Sequence, residues 1–197
     1  MTKDISTRQQ EIIEASGKIL MDKGIKGLTT KNLALEMNFS ESAIYRHFSN
    51  KEDIIILLFK ALAANIELRM NEILMINIPA TAKLEAMFAS HWVYFTKNPH
   101  FIVAILSEDL FFETNKIQTE LMQIIAIKAR VITQILEEGK AQNEFRKDIE
   151  TQDLLQVIMG CFRNQMLQWR FSGFAFDLQT AGNTMTQTII KLIKTND

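Results

Sequence analysis

Proline and glycine are scarce in this sequence, with two prolines and seven glycines among 197 residues. Because these two residues interrupt regular structure, their scarcity favours long helices over a fold of many short strands and turns. The strong helix formers Leu, Ile, Met, Lys, Glu and Ala are abundant, which supports the same interpretation. The sequence therefore predicts an all-α protein.

Cysteine is rare as well, and neither positive nor negative side chains are in excess. Cys161 is the single cysteine, so an intramolecular disulfide is excluded and a reducing compartment is expected. The 22 basic and 23 acidic side chains leave a net charge of −1, so no global field attracts the chain to nucleic acid. Any DNA binding must therefore depend on a few well-placed side chains. The apolar content of 47% argues against a disordered chain.

Long apolar stretches are absent too. The most apolar run, 54–59, is interrupted by Lys60, far short of the ~18 residues that a membrane-spanning helix needs. The segment that begins at Met1 lacks the apolar stretch of a secretory signal. We therefore expect a cytoplasmic protein that does not enter a membrane.

Apolar residues recur at helical spacing through most of the chain. Ile12, Ala15 and Ile19 form the first stripe, which predicts a helix over 7–22 that ends before Gly24. Another helix is predicted to start at Asn98-Pro99, with Asn98 as its N-cap and Pro99 at its first position. The remaining stripes predict helices over 41–48, from 51 for about 25 residues, and over 82–97, 101–106, 115–139, 151–170 and 178–194.

Two short helices separated by a tight turn are predicted near the start of the chain. The hydroxyl of Thr29 or Thr30 can cap the first, and Ser40 can cap the second, over 41–48. Asn38 lies between them and tolerates the positive φ that a sharp turn needs. This spacing is typical of a helix-turn-helix.

Residues 29–53 carry several short segments at fixed spacing. In order, they are Thr29-Thr30-Lys31-Asn32-Leu33-Ala34, Asn38-Phe39-Ser40, Ile44-Tyr45-Arg46-His47-Phe48 and Lys51-Glu52-Asp53. The region 8–60 resembles the DNA-binding domain of TetR-family transcriptional regulators. It departs from the family at Asn38, where glycine is usual, and at Phe39, where a smaller aliphatic residue is usual.

The resemblance implies an all-α fold of two domains. The first is a three-helix DNA-binding domain over 6–52, with the helix-turn-helix over about 29–48. The second is a larger helical domain over 53–197 that binds a ligand and dimerises.

The resemblance also implies roles for individual side chains on DNA, with the third helix in the major groove. Positions that face bases in the family are those of Lys31, Glu41, Ser42 and Tyr45. The positions that contact phosphates are those of Thr30, Ala43, Arg46, His47 and Lys51. Ser40, at the start of the third helix, would add a hydroxyl and backbone N–H groups that hydrogen-bond to phosphate. Tyr45 could instead pack on the first helix, and His47 could cap a helix end. Glu41 is compatible with DNA where it accepts a hydrogen bond from cytosine.

The rest of the chain carries no comparable motif, but it is rich in large apolar residues. Ten methionines among them would suit an adaptable ligand pocket. The candidate lining residues are Phe88, Trp92, Phe95, Phe101, Ile105, Phe111, Phe112, Met122, Phe162 and Met166. Any one of them could equally be plain core. We expect a mostly apolar effector, such as an acyl chain or a hydrophobic aromatic compound.

Signatures of metal sites and catalysis are lacking. His91, His100 and Cys161 do not have the short paired spacing of a structural zinc site. No catalytic triad or glycine-rich phosphate loop is found. We therefore expect no enzyme activity, no cofactor and no metal. The alternative is a helical enzyme or lipid-binding protein whose N-terminal module only resembles a DNA binder, and a regulator that answers to a protein partner is a further possibility.

Two apolar stripes near the end of the chain predict an interface. A single helix-turn-helix module reads half a site, so a homodimer with two-fold symmetry matches a palindromic operator of double-stranded DNA. The predicted interface residues are Leu155, Ile158, Met159, Phe162, Trp169, Leu178, Ala181, Met185, Ile189 and Leu192. The same stripes could instead face the ligand domain of their own chain. Together these features predict a ligand-responsive repressor.

Overall fold

Residues 6–195 are those that the computed structural model describes, and they form ten α-helices. The helices are α1 (Thr7–Gly27), α2 (Thr30–Glu36), α3 (Glu41–Tyr45), α4 (Lys51–Met75), α5 (Ala80–Lys97), α6 (His100–Ile105), α7 (Glu108–Phe111), α8 (Asn115–Ala141), α9 (Thr151–Phe171) and α10 (Leu178–Ile193). Within the described range, β-type pairing is limited to an isolated antiparallel bridge between Phe145 and Lys194. The all-α prediction is confirmed.

Most predicted helix starts coincide with side-chain caps. The hydroxyl of Thr29 accepts a hydrogen bond from the Asn32 amide at 3.1 Å, and that of Ser40 accepts from the Ala43 amide at 3.2 Å. These bonds satisfy amides that have no partner within the helix. The predicted turn is also present, because Asn38 has a φ of 55°.

Several predicted boundaries are wrong. The predicted break at Gly24 is present, because its backbone leaves the helical region with a φ of 64°, but the chain resumes helical geometry after it and α1 ends at Gly27. Helix α3 ends at Tyr45 instead of residue 48. Pro99, not Asn98, is the N-cap of α6, and its ring makes no capping hydrogen bond because it carries no polar atom. The short helix α7 was not predicted as an element of its own.

The described chain divides into two compact units. Unit 1 comprises residues 6–65 and 98–124, and unit 2 comprises 66–97 and 125–195. The predicted DNA-binding segment 6–52 lies within unit 1, which also includes α6 and α7. The last two residues of the predicted larger domain, 196–197, lie outside the described range, as do residues 1–5, on which the expectation of no secretory signal rests.

The core of unit 1 is built where α1 packs against α2 and α6. Leu20, Leu33 and Ile44 are buried there, and they hold the two short helices against α1. Gly17 faces α6, where a Cβ atom at this position would lie 3.1 Å from the ring of His100. A glycine therefore permits the close approach of α1 and α6.

The core of unit 2 is built where α10 packs against α5 and α9. Gly182 of α10 faces the ring of Trp92, where a Cβ atom would lie 2.5 Å from the indole. The Trp92 Nε1 donates a hydrogen bond to the hydroxyl of Thr186 at 3.3 Å, and that hydroxyl donates to the Gly182 carbonyl at 2.8 Å. One polar contact thus orients a fully buried indole against α10.

Candidate nucleic-acid interface and effector region

The residues around α3 separate into a buried and an exposed set. Ile44 and Phe48 are buried, which fixes the roll of α3 on the core of unit 1. The side chains predicted to meet DNA lie on the other side. Lys31, Ser40, Glu41, Ser42, Tyr45, Arg46 and His47 are exposed, and Thr30, Ala43 and Lys51 are half-buried. The structure therefore leaves the predicted DNA-contacting side chains exposed or half-buried, and Thr30 and Tyr45 of this set are in direct contact.

Tyr45 is fixed by a contact that the sequence did not reveal. Its side chain is 52% exposed, so it is not part of the core. The hydroxyl of Thr30 donates a hydrogen bond to the Tyr45 phenol oxygen at 3.2 Å, which joins the start of α2 to the end of α3. This bond orients the phenol while about half of the residue stays accessible.

Phe39, which departs from the family pattern, packs at the surface of α1. The guanidinium of Arg8 lies over the Phe39 ring, 4.6 Å from its centroid. A cation over an aromatic ring is a favourable contact of about 0.5–1 kcal/mol at an exposed site. The larger side chain is thus accommodated outside the core formed by Leu33 and Ile44.

Lys51 starts α4 and is ion-paired with Glu113. Its Nζ lies 3.5 Å from a carboxylate oxygen of Glu113. The neighbouring residue Glu52 accepts a hydrogen bond from the hydroxyl of Thr114 at 2.6 Å. A phosphate that binds Lys51 must therefore compete with Glu113.

Replacement of Glu113 by glutamine should raise DNA affinity by a few-fold. The change removes the competing carboxylate and one negative charge near the predicted phosphate contact. Fluorescence anisotropy with a labelled operator fragment at low salt measures the effect. Glu120→Gln is the matched control, because Glu120 pairs at 3.5 Å with Lys60, for which no DNA contact is predicted. A Glu113 variant that binds no better than the control would show that this pair does not limit binding.

Four of the predicted lining residues form a cluster in unit 2. This aromatic cluster consists of Phe88, Trp92, Phe95 and Phe162, all of them buried. The Phe162 ring lies 5.2 Å from Trp92, 6.1 Å from Phe88 and 6.3 Å from Phe95, measured between centroids. Met166, one helical turn beyond Phe162, is buried as well.

The other five predicted lining residues belong to unit 1. Phe101 is buried, and Ile105 and Phe111 are half-buried. Phe112 is 81% exposed and Met122 is 48% exposed. In α7 the buried position is Leu110, and Phe112 is the C-cap two residues later, which at 3.6 residues per turn points away from the buried face.

Most of the predicted interface residues are buried within their own chain. The buried ones are Leu155, Ile158, Phe162, Trp169, Leu178 and Ile189. Met159, Ala181 and Met185 are half-buried, and Leu192 is 61% exposed. The apolar stripes of α9 and α10 thus serve mainly the core of unit 2, which was the alternative left open by the sequence. The accessible apolar residues of these helices include Leu192 and Val157, which is 52% exposed.

Polar side chains also lie at the aromatic cluster, and sequence reasoning missed their role. The ammonium of Lys128 lies 3.8 Å from the centroid of the Phe162 ring. Burial lowers the pKa of Lys128 to about 7. His91 is 2% exposed, and its ring lies edge-on to Phe162 with centroids 5.4 Å apart. Burial, and then the charges of Lys128 and Arg69, hold the pKa of His91 well below its usual value.

Residues 6–195 contain neither a cluster of metal ligands nor a membrane-spanning helix. No three of the described His, Cys, Asp and Glu residues are grouped as a metal site would require. None of the described helices has the combined length and apolar character of a membrane span.

Comparisons with known proteins give matches along most of the chain. Residues 12–58 match the family described as bacterial regulatory proteins, tetR family. Residues 58–192, more than half of the chain, match the family described as YsiA-like protein, C-terminal region.

Individual relatives are similar over almost their whole length. The fatty acid metabolism regulator protein of Bacillus subtilis is 21% identical over 183 residues, which cover 93% of this chain and 94% of the relative. The nucleoid occlusion factor SlmA of Photobacterium profundum is 24% identical over 172 residues, 87% and 88% of the two chains. The crystal structure of FadR from Bacillus subtilis in complex with stearoyl-CoA superposes with a TM-score of 0.80 at 22% identity, covering 92% of this chain and 97% of FadR.

These matches agree with the architecture described above. The first family match contains the helix-turn-helix, and the second contains the aromatic cluster of unit 2. Likeness to solved structures at this level of identity shows a shared fold, and the family matches show membership. The chain belongs to the TetR family of DNA-binding transcriptional regulators.

Proposed function

We propose that this chain is a cytoplasmic repressor that binds a palindromic operator as a homodimer and is released by a mostly apolar small molecule. The observation that carries the proposal is the accessible set of polar side chains around α3, at positions where the family contacts DNA. The hydroxyls and helix starts in this set supply neutral hydrogen bonds to phosphates, which suits a chain with a net charge of −1.

An acyl compound is the effector that we favour. The aromatic cluster gives unit 2 a buried apolar region with the composition of pocket linings that bind hydrocarbon chains. A likeness of fold to a regulator crystallised with stearoyl-CoA supports the same class of ligand. Binding of the effector would release DNA if the two states of the protein differ in affinity for both molecules.

Stearoyl-CoA is therefore expected to release the protein from DNA, whereas coenzyme A alone should not. The test is a fluorescence anisotropy titration with DNA from upstream of the protein's own gene, at fixed ionic strength because phosphate contacts make binding salt-dependent. Salt-sensitive binding to an inverted repeat, followed by release with stearoyl-CoA only, is the expected result. Equal release by coenzyme A would contradict an apolar effector, and binding without sequence preference would contradict an operator-specific repressor.

The homodimer is proposed to form through α9 and α10. Ala181, Met185, Thr188 and Leu192 recur along α10 at helical spacing, and all four are accessible or half-buried. On α9, Val157 is exposed, and Gly160 has nothing within 4 Å of an added Cβ atom, which leaves room for a helix of a second chain. This outer face, rather than the buried stripes, would be the interface.

A further inference from the structure

Lys128 of α8 is a cation without a counter-ion in unit 2. The residue is half-buried, its ammonium lies over the face of Phe162, and burial lowers the pKa of that ammonium. The ion pairs found among residues 6–195 do not include it, and in this part of α8 the pair is formed by Arg130 with Glu67 at 3.6 Å. A buried charge that lacks an opposite charge is costly, so its presence calls for an explanation.

His91 of α5 adds an unused hydrogen-bonding atom next to the same ring. Its Nδ1 lies 2.8 Å from the Met87 carbonyl oxygen, which only accepts hydrogen bonds, so Nδ1 carries the hydrogen. The Nε2 of the neutral ring is then an acceptor. It is buried and has no hydrogen-bond partner. Leaving such an atom unsatisfied destabilises the folded protein.

We infer that Lys128 anchors a negatively charged oxygen of the effector, with the Nε2 of His91 as a second polar contact that accepts an O–H or N–H group. The effector is then an amphipathic anion, in which an apolar body carries a carboxylate or a phosphate. This inference rests on the proposed function, because it assumes that unit 2 binds the effector.

The local electrostatics favour an anion over a neutral polar group. Arg69, whose guanidinium lies 4.6 Å from the centroid of the Tyr94 ring, is a second cation whose field reaches His91. The carboxylate of Glu72 raises the pKa of Arg69 against the effect of burial. For Lys128, by contrast, burial is the one influence, and it lowers the pKa. An oxygen anion would supply the opposite charge that Lys128 lacks, and a charge-assisted hydrogen bond is about twice as strong as a neutral one.

The test compares two probes of equal chain length, decanoate and 1-decanol, by isothermal titration calorimetry near neutral pH. In Lys128→Met, affinity for decanoate should fall about tenfold or more, while affinity for decanol changes less than about twofold. Lys128→Arg should retain most of the decanoate affinity. Lys116→Met is the matched control, because Lys116 is an exposed lysine of the same helix whose Nζ lies 3.7 Å from Glu52. This variant should bind both probes as the wild type does.

Thermal unfolding separates a binding role from a structural one. Because Lys128→Met removes a buried cation, the variant should be at least as stable as the wild type. Equal loss of affinity for both probes, accompanied by a lower unfolding midpoint, would overturn the inference, as would unchanged decanoate binding. Wild-type protein that binds neither probe would overturn it too. The proposed function is judged separately, by release from DNA with stearoyl-CoA.

Discussion

Operator affinity should fall at least about a hundredfold when Tyr45, His47 and Lys51 are all replaced by alanine. Each side chain is exposed or half-buried, so unit 1 is expected to stay folded in the variant. The variant loses a phenol that is predicted to face bases and two predicted phosphate contacts at once. Anisotropy titrations at several salt concentrations measure both the affinity and the number of phosphate contacts.

Single variants assign the roles within this set. Lys51→Ala should reduce the slope of log affinity against log salt by about one, because one phosphate contact is lost. Tyr45→Phe removes the hydrogen bond from Thr30 and keeps the ring, so it separates orientation from contact. Lys97→Ala removes a charge from an exposed position of α5 and is the control. If the triple variant bound as tightly as the wild type, the assignment of α3 as the recognition helix would be wrong.

Replacement of both Val157 and Leu192 by glutamate should give monomers that bind the operator at least about a hundredfold more weakly than the wild type does. Two like charges from each chain would meet in the proposed interface and would have to be desolvated there. A monomer also loses the high effective concentration that a dimer provides at the second half-site. Analytical ultracentrifugation gives the oligomeric state, and anisotropy gives the affinity for the complete operator.

The control for this pair is Leu68→Glu, which makes the same chemical change at a residue of α4 that is 62% exposed. It should remain dimeric and bind DNA normally. Replacement of Ile189 would be a poor test, because Ile189 is 2% exposed within its own chain and a charge there would unfold unit 2. A folded Val157 and Leu192 double variant that sediments as a dimer would place the interface elsewhere.

Local chemistry explains why so much of the helix pattern could be predicted from the sequence. Thr29, Ser40 and Asp177 each cap a helix through a bond to an amide two or three residues away, and such bonds depend on neighbouring residues alone. Asn38 adopts its positive φ for a similarly local reason. The end of α3 is less local, because the three residues after Tyr45 continue as a turn that packs Phe48 into the core.

The apolar stripes of α9 and α10 were harder to interpret than the helix caps. A stripe shows that a helix face is covered but not whether its own chain or a second chain covers it. Ile158 and Leu178 are covered by their own chain rather than by a second copy. The contacts that define the candidate sites are also distant in sequence. Thr30 and Tyr45 are 15 residues apart, and Lys51 and Glu113 are 62 apart. Nothing in the spacing of either residue type predicts these pairs without the fold.

The packing of Trp92 gives the protein its own optical reporter. Its indole is fully buried and lies nearly parallel to the Phe88 ring at 5.6 Å and close to Phe162, the ring that Lys128 contacts. The second tryptophan, Trp169, is also buried and donates from its Nε1 to the Phe176 carbonyl oxygen at 3.1 Å. With Trp169 replaced by phenylalanine, the remaining emission comes from an indole within the aromatic cluster. Binding of the proposed effector in unit 2 would then change the intrinsic fluorescence, without a label on either the protein or the ligand.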